Sequence, residues 1–342
     1  MSRPEISEPF VTDGMNLPKE IVYTGDAELL EEYLGNPEKH PLNEKAKKHL
    51  RDRLENVRYV NEIANANAGV KYKPLDAVET ENGFILTGIH QPERQETGHC
   101  CWTMPAKLML QSRNINLEQE TIRCYKPEIR LGAQQLDELD DATVREFTRN
   151  VNGNIKNLSC LMHKLVPNAA MVQISYMVPY AVKTDPDAQA ENEMFRRNFK
   201  EQVTSALRDH RSPVALLKNG HYRTIVGIDG DDLIVKDSLS AVHGPDSDYK
   251  VSIASLFASP LDQTEITYMR DLTVTDGEKL PDGLRAFENA VRPGQGADKG
   301  KLVFSDAMNV IVNDKDITEK TIENPDGSTV SLGGGVRLPR FL

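Results

Sequence analysis

The stretch PVALLKNGHYRTIVGIDGDDLIVKD, residues 213–237, decides how the second half of the chain folds. Val214 to Leu217, Tyr222 to Ile228 and Leu233 to Val235 are short apolar runs, punctuated by Asn219-Gly220 and by Asp229-Gly230-Asp231-Asp232. Asn-Gly and Asp-Gly pairs tolerate the positive φ angles of tight turns whose twist matches two antiparallel strands. The spacing therefore predicts three antiparallel strands joined by two hairpins. His221 opens the second strand, where a side chain can face a cleft, and Asp237 ends the third. Adjacent antiparallel strands bring this imidazole and this carboxylate toward each other, and such a carboxylate fixes the imidazole tautomer and supports its positive form.

Working outward, residues 191–209 read as a helix with Phe195, Phe199, Val203, Ala206 and Leu207 on one face. A run rich in Val, Ile, Tyr and Met between Met171 and Val182 reads as a buried strand, and another strand is expected around Glu265–Met269. Leu136 to Leu165 carries helical patterning, with Asp140-Asp141-Ala142-Thr143 as its start signal. A turn at Glu81-Asn82-Gly83 leads through Phe84-Ile85-Leu86 into the segment Gln91–Trp102, and residues 103–115 read as a helix that tolerates Pro105 in its first turn.

The front of the chain is helical in pattern. Residues 1–24 are polar and Pro-bearing and read as an irregular leader. A short helix from Asp26 ends near Gly35-Asn36-Pro37. A longer one spans about residues 43–68, with Leu50, Leu54, Val57, Val60 and Ile63 as its apolar stripe, Asn43 as N-cap and Gly69 just past its end. At the other end, residues 293–301 read as a flexible linker and 302–342 as a small β-rich appendage broken at Gly333-Gly334-Gly335. The expected class is α+β, divided into a helical flank or cap over 1–80, a main domain over 81–275, and a linker with a small β-rich region over 276–342.

Bulk composition narrows the function. The chain has 342 residues, 39% hydrophobic and 27% charged, enough for a real core. Its net charge of −11 is spread along the chain, a surface that repels phosphate backbones and argues against nucleic-acid binding as the main task. No run approaches the length of a membrane span, and Met1-Ser2-Arg3-Pro4-Glu5 lacks the apolar core of a signal peptide. A cytoplasmic location, or export by a route that needs no signal peptide, is the expectation. Four cysteines occur, Cys100, Cys101, Cys124 and Cys160, two of them adjacent and none in a C-x-x-C pair, which suits neither a disulfide framework nor a zinc knuckle.

The chemistry concentrates in Gln95-Glu96-Thr97-Gly98-His99-Cys100-Cys101-Trp102. A helix opening directly after a thiol favours its thiolate through the partial positive charge at the helix N-terminus. The Gln95 amide and the backbone N–H of Cys101 are the donors a tetrahedral oxyanion needs. A thiolate also needs a base from elsewhere in the fold, and His221 with Asp237 meets that need.

Gln95-x5-Cys101-Trp102 resembles the oxyanion-hole and nucleophile segment of papain-like cysteine peptidases, and residues 213–237 resemble their histidine hairpin. The bacterial branch related to bacteriocin-processing peptidases is the nearest in pattern. The resemblance covers roughly residues 84–272. It implies a papain-like fold, with Cys101 as nucleophile, His221 as base, Asp237 as its orienter and Gln95 in the oxyanion hole. It also implies acyl transfer without a cofactor or metal, a protein or peptide substrate, and the setting of a host-directed bacterial effector. The usual Cys-Gly-Ser before the nucleophile is here Gly98-His99-Cys100, so the disulfide cysteine of secreted papains is missing.

Other readings stay open at this point. Cys101 can be a buried core thiol under Trp102, Cys100 can be the nucleophile, or the two can form a vicinal disulfide. His90, His99, Cys100 and Cys101 form an imaginable zinc cluster, although adjacent cysteines suit tetrahedral ligation badly. His221 can be a satisfied strand histidine, and His163 is read as a core residue. The same triad serves a transglutaminase or an amidase, and a non-catalytic module of this fold would use its cleft only for binding. Residues 1–80 are a cap, a pro-segment or partner-binding module, or a structural brace. Asp229–Asp232 lacks the later Glu of an EF-hand, and Gly294–Lys301 lacks the register and the Ser or Thr of a phosphate loop.

Overall fold

The computed structural model describes residues 10–12, 14–68, 70, 72–89, 101–126, 136, 158, 161–162, 164–166, 169–239, 248–271, 291–293, 302–304, 321–323, 329–331 and 336–337. The chain opens with a small hairpin, β1 (Phe10–Thr12) and β2 (Met15–Leu17), then a single turn α1 (Lys19–Val22). The helix α2 (Ala27–Gly35) starts where the Asp26 carboxylate accepts the Leu29 N–H at 2.9 Å. The long helix α3 (Glu44–Asn67) starts where Asn43 accepts the Ala46 N–H at 2.9 Å. Each cap satisfies one of the backbone donors that a helix start leaves orphaned.

The irregular leader expected over residues 1–24 is corrected for residues 14–24, while residues 1–9 and 13 lie outside the described residues. Met15, Leu17, Ile21, Val22 and Tyr23 are buried against Leu30, Tyr33, Leu42, Ala46, Leu50 and Leu54, so this segment forms part of a core. Three-residue strands and a one-turn helix are too short to show a period, which is why the pattern concealed them.

Next come β3 (Ala77–Glu79), β4 (Gly83–Leu86), the helices α4 (Thr103–Gln111) and α5 (Gln119–Cys124), then β5 (Ala169–Met177) and α6 (Pro186–Arg208). The hairpin strands follow as β6 (Val214–Lys218), β7 (His221–Asp229) and β8 (Asp232–Lys236). The remaining main elements are β9 (Tyr249–Ser252), the turn α7 (Ile253–Leu256) and β10 (Gln263–Asp271). Helix α6 begins five residues before the expected start, because Asp185 caps it and Pro186 occupies its first turn. Helix α4 stops at Gln111, short of 115, as Asn114 turns to a φ of 59° and the Ile115 N–H reaches back to Leu110. Most of the helical pattern expected over 136–165 lies outside the described residues. Within it Leu136, Leu158, Leu161, Met162 and Leu165 are helical and buried.

Among the described residues these strands build an antiparallel sheet in the order β5-β10-β6-β7-β4-β3, with β8 on β7 and β9 on β8. One edge of β7 is paired first by β6 and then by β4, while β8 takes the other edge. The changeover coincides with a bulge between Ile225 and Gly227. Gly227 is required there, since a Cβ would stand 2.7 Å from the Phe84 carbonyl oxygen. Alternate residues serve two cores. Leu216, Ile266 and Ile174 pack with Phe195, Phe199 and Val203 of α6, whereas Ala215, Met269 and Met171 pack with Ala106, Met109 and Leu110 of α4. The sheet therefore lies between α6 on one face and α4 on the other, a mixed fold of helices on antiparallel β structure.

The C-terminal strands are β11 (Val291–Pro293), β12 (Leu302–Phe304), β13 (Thr321–Glu323), β14 (Thr329–Ser331) and β15 (Val336–Arg337). β11 pairs with β12, so the stretch read as a linker is bracketed by a hairpin, and residues 294–301 lie outside the described set. β15 adds to the outer edge of β5, which ties this region to the main sheet.

Candidate active site

Cys101 sits one residue before the N-cap of α4, and every residue from Thr103 to Leu110 in that helix is buried. A helix with no solvated face keeps its terminal dipole poorly screened, and the thiol lies at its positive end. Pro105 costs nothing, because the third position of a helix has no carbonyl to donate to. Cys101 carries a free thiol and is 9% exposed, so the vicinal disulfide is not formed. Cys100, the rival nucleophile, and Gln95, His90 and His99 lie outside the described residues. His163 and Cys160 do so as well.

The hairpin positions His221. Asn219 and Gly220 have φ values of 53° and 72°, a two-residue turn with both positions left-handed, so Lys218 pairs directly with His221. The second turn places Gly230 at φ 64° and pairs Asp229 with Asp232. From there the register runs back to Thr224 opposite Lys236, which leaves Asp237 alongside the first residues of β7. The result is a hydrogen bond of 2.8 Å between His221 Nε2 and Asp237 Oδ1. His221 is also within hydrogen-bonding reach of the Cys101 thiol, and with Nε2 held by Asp237 its Nδ1 is the ring nitrogen left for the sulfur. The structure thus brings together three of the four residues singled out from the sequence.

The electrostatics of the three groups agree. Burial alone would push the Cys101 thiol up. The hydrogen bond from His221, the N–H groups of Tyr222 and of Cys101 itself, and the His221 charge bring it below its ordinary value. The bond to Asp237, then that to Cys101, raises His221 to about 9 against the opposing effect of burial. Burial likewise works to raise Asp237, yet His221, the Leu239 N–H and the Arg223 charge hold it at about 2. The Cys101 and His221 shifts both run in the direction that favours a thiolate beside an imidazolium.

Two groups around Asp237 were not singled out from the sequence. Arg223 Nε donates to Asp237 Oδ2 at 3.2 Å, and the Tyr249 hydroxyl donates to the same oxygen at 3.3 Å. Arg223 stands two residues after His221 on one strand, a spacing that puts both on the same face. That signal was readable once the strand was assigned. Tyr249 belongs to a four-residue strand with no readable pattern.

Among the described residues no group of three or more His, Cys, Asp or Glu is placed to hold a metal ion, and no helix is long and apolar enough to cross a membrane. A cavity of about 660 Å³ lies between α3 and α5, lined by His49, Arg53, Asn56, Tyr59 and Cys124 among others. None of Cys101, His221 or Asp237 lines it, so this cavity does not belong to the paired thiol and imidazole. Arg53 there is buried and donates to the carbonyls of Ile21 and Thr24 at 2.5 and 3.2 Å, which marks a structural junction.

No protein-family model matches this chain, and no curated protein does. Among solved structures, the chain is similar to UfSP from C. elegans at 11% identity and a TM-score of 0.32. That alignment covers 61% of this chain and 37% of the UfSP chain, so this protein spans well under half of that relative's length. A C39-like peptidase from Bacillus anthracis aligns at 14% identity and a TM-score of 0.28, covering 56% of this chain and 97% of that one.

Proposed function

We propose that this protein is a papain-like cysteine hydrolase that cleaves a peptide, isopeptide or other amide bond. The observation that carries the reading is His221, bonded to Asp237 and within hydrogen-bonding reach of a free thiol at the head of a buried helix. The resemblance of residues 95–102 and 213–237 to the papain-like motifs supports it.

In the reaction, the Cys101 thiolate attacks the carbonyl carbon of the scissile amide. The carbonyl oxygen becomes an oxyanion that takes hydrogen bonds from the Cys101 backbone N–H and from the Gln95 side-chain amide. His221 gives its Nδ1 proton to the departing nitrogen, the C–N bond breaks, and an acyl-thioester remains on Cys101. A water then loses a proton to His221 as its oxygen attacks the thioester. Collapse of that intermediate frees the carboxylic acid and restores the thiolate. Asp237 stays ionised throughout and holds the imidazole in register.

In this reading residues 81–275 are the catalytic unit and residues 1–80 brace it. Val60 of α3 is buried with Trp102 in the cluster around α4, and Asn56 donates to the Thr121 carbonyl of α5 at 3.1 Å.

Iodoacetamide labelling of each cysteine, followed by mass spectrometry across pH, tests the reading. Cys101 is expected to label selectively below neutral pH, and His221→Ala to slow that labelling at least about tenfold, since the His221 bond and charge that work against burial are then lost and only the backbone N–H groups of Tyr222 and Cys101 still oppose it. Uniform slow labelling, indifferent to His221, would sink the hydrolase reading.

A further inference from the structure

The Asp237 carboxylate is held on both oxygens by groups that differ in kind. Oδ1 receives His221 Nε2 at 2.8 Å and the Leu239 backbone N–H at 2.8 Å. Oδ2 receives Arg223 Nε at 3.2 Å and the Tyr249 hydroxyl at 3.3 Å. An ionised carboxylate offers about four lone-pair directions, so the four donors use its capacity in full. The donors come from two strands, β7 and β9, and from the chain just past β8. A carboxylate bound this way cannot rotate about its Cβ–Cγ bond without breaking bonds on both oxygens.

We propose that Arg223 and Tyr249 are positioning residues: they lock the plane of Asp237 so that His221 meets Cys101 in one orientation, and Arg223 balances the charge of the triad. The proposal rests on the Cys101–His221–Asp237 reading and adds two residues and a charge to it. With Cys101 as thiolate and His221 as imidazolium, the three groups sum to one negative charge. The Arg223 guanidinium brings the cluster to neutrality. That balance matters for turnover, because the same imidazolium must release its proton to the leaving amine. A cluster left net negative would hold that proton more tightly.

The charged and titratable groups facing this cluster, among the described residues, are few. His221 and Arg223 come from β7, Tyr249 from β9 and Cys101 from the head of α4. Tyr222 on β7 approaches Cys101 from the other face of its strand and bonds to Glu265 of β10 at 3.4 Å. Lys236, the last residue of β8, is committed to Asp248 at 2.7 Å. Among the described residues Arg223 is therefore the cation that acts on Asp237 directly besides His221, at 29% side-chain exposure, where solvent screens it only in part.

The sign of the effect follows. Removing a positive charge favours every protonated form nearby, so both the thiol and the imidazolium titrate at higher pH. For charges about 6 Å apart, even water-like screening leaves a shift on the order of half a pH unit, and the partial screening of Arg223 makes that the least expected. Tyr249 is neutral, so its loss loosens the carboxylate without moving the titrations by a comparable amount.

The experiment is iodoacetamide labelling of Cys101 from about pH 4 to about pH 10, in wild type, Arg223→Met, Arg223→Lys, Tyr249→Phe and His221→Ala. Arg223 is partly exposed and Tyr249→Phe conserves shape, so these chains are expected to fold, and Arg223→Lys keeps the charge without the planar fork. Support consists of an Arg223→Met profile moved up by at least about half a pH unit, most of it restored by Arg223→Lys, with Tyr249→Phe slower at an unmoved pH midpoint. A profile unmoved in Arg223→Met, while His221→Ala still slows labelling, overturns the positioning role and leaves the triad standing. Labelling indifferent to His221→Ala overturns both.

Discussion

Asp237→Asn separates the electrostatic role of the carboxylate from its shape. His221 is raised from its ordinary 6.5 to about 9, chiefly by the bond to Asp237 and secondarily by Cys101. Each pH unit corresponds to ~1.4 kcal/mol of preference for the imidazolium, so the unscreened total is ~3 kcal/mol. The pair keeps some contact with water, and the sharing with Cys101 is lost from the Asp237 term, which brings its part to ~1–2 kcal/mol. The sign follows from linkage. A histidine whose folded pKa lies above its unfolded one stabilises the fold fully below about 6.5. That stabilisation fades as pH rises through about 9. Asp237→Asn is therefore expected to cost ~1–2 kcal/mol more at pH 6 than at about pH 10, where the imidazole is neutral in both chains. Taking the difference between the two pH values cancels the cost of leaving Arg223 without its carboxylate, which persists at both. The assays are urea denaturation at the two pH values and an NMR titration of the histidine rings, with His221 identified by its absence in His221→Ala. Equal destabilisation at both pH values, or an unchanged His221 titration in Asp237→Asn, would refute the reasoning.

Two further substitutions test the frame that carries the site. Gly227→Ala places a methyl 2.7 Å from the Phe84 carbonyl oxygen at the bulge of β7, and is expected to destabilise by ~1–3 kcal/mol, read as a lower urea midpoint. A midpoint equal to wild type would show that β4 yields easily there. Arg53→Met removes the donor to the buried carbonyls of Ile21 and Thr24, and is expected to cost ~3 kcal/mol while leaving the pH profile of Cys101 labelling in place. A shifted profile without loss of stability would mean that the N-terminal region regulates the site and does not merely brace it.

Much of the architecture near the site was readable because it is local. Asn219-Gly220 adopts positive φ at both residues, and that chemistry sets the pairing of Lys218 with His221. The stripe of Phe195, Phe199 and Val203 announced the helix that covers one face of the sheet, although its polar first turns hid the start at Pro186. The buried leader went unread, since strands of three residues leave no periodicity. The strand at Tyr249–Ser252, alternating between half-buried and exposed over only four residues, was missed for the same reason.

By itself the sequence determined which residues were eligible for chemistry: a thiol opening a helix, a histidine after an Asn-Gly turn, and an aspartate at the end of the next strand. Turn geometry and strand alternation are properties of a few neighbouring residues, so they survive without any fold. Only the tertiary structure decided that His221 reaches Cys101, which lies 120 residues earlier in the chain. That meeting depends on α4 packing against one face of the sheet through Ala106 and Met109 on Ala215 and Met269. It also decided that Arg223 and Tyr249 converge on one carboxylate oxygen, because the register of β8 with β9 and of β7 with β8 sets that distance and no local pattern does.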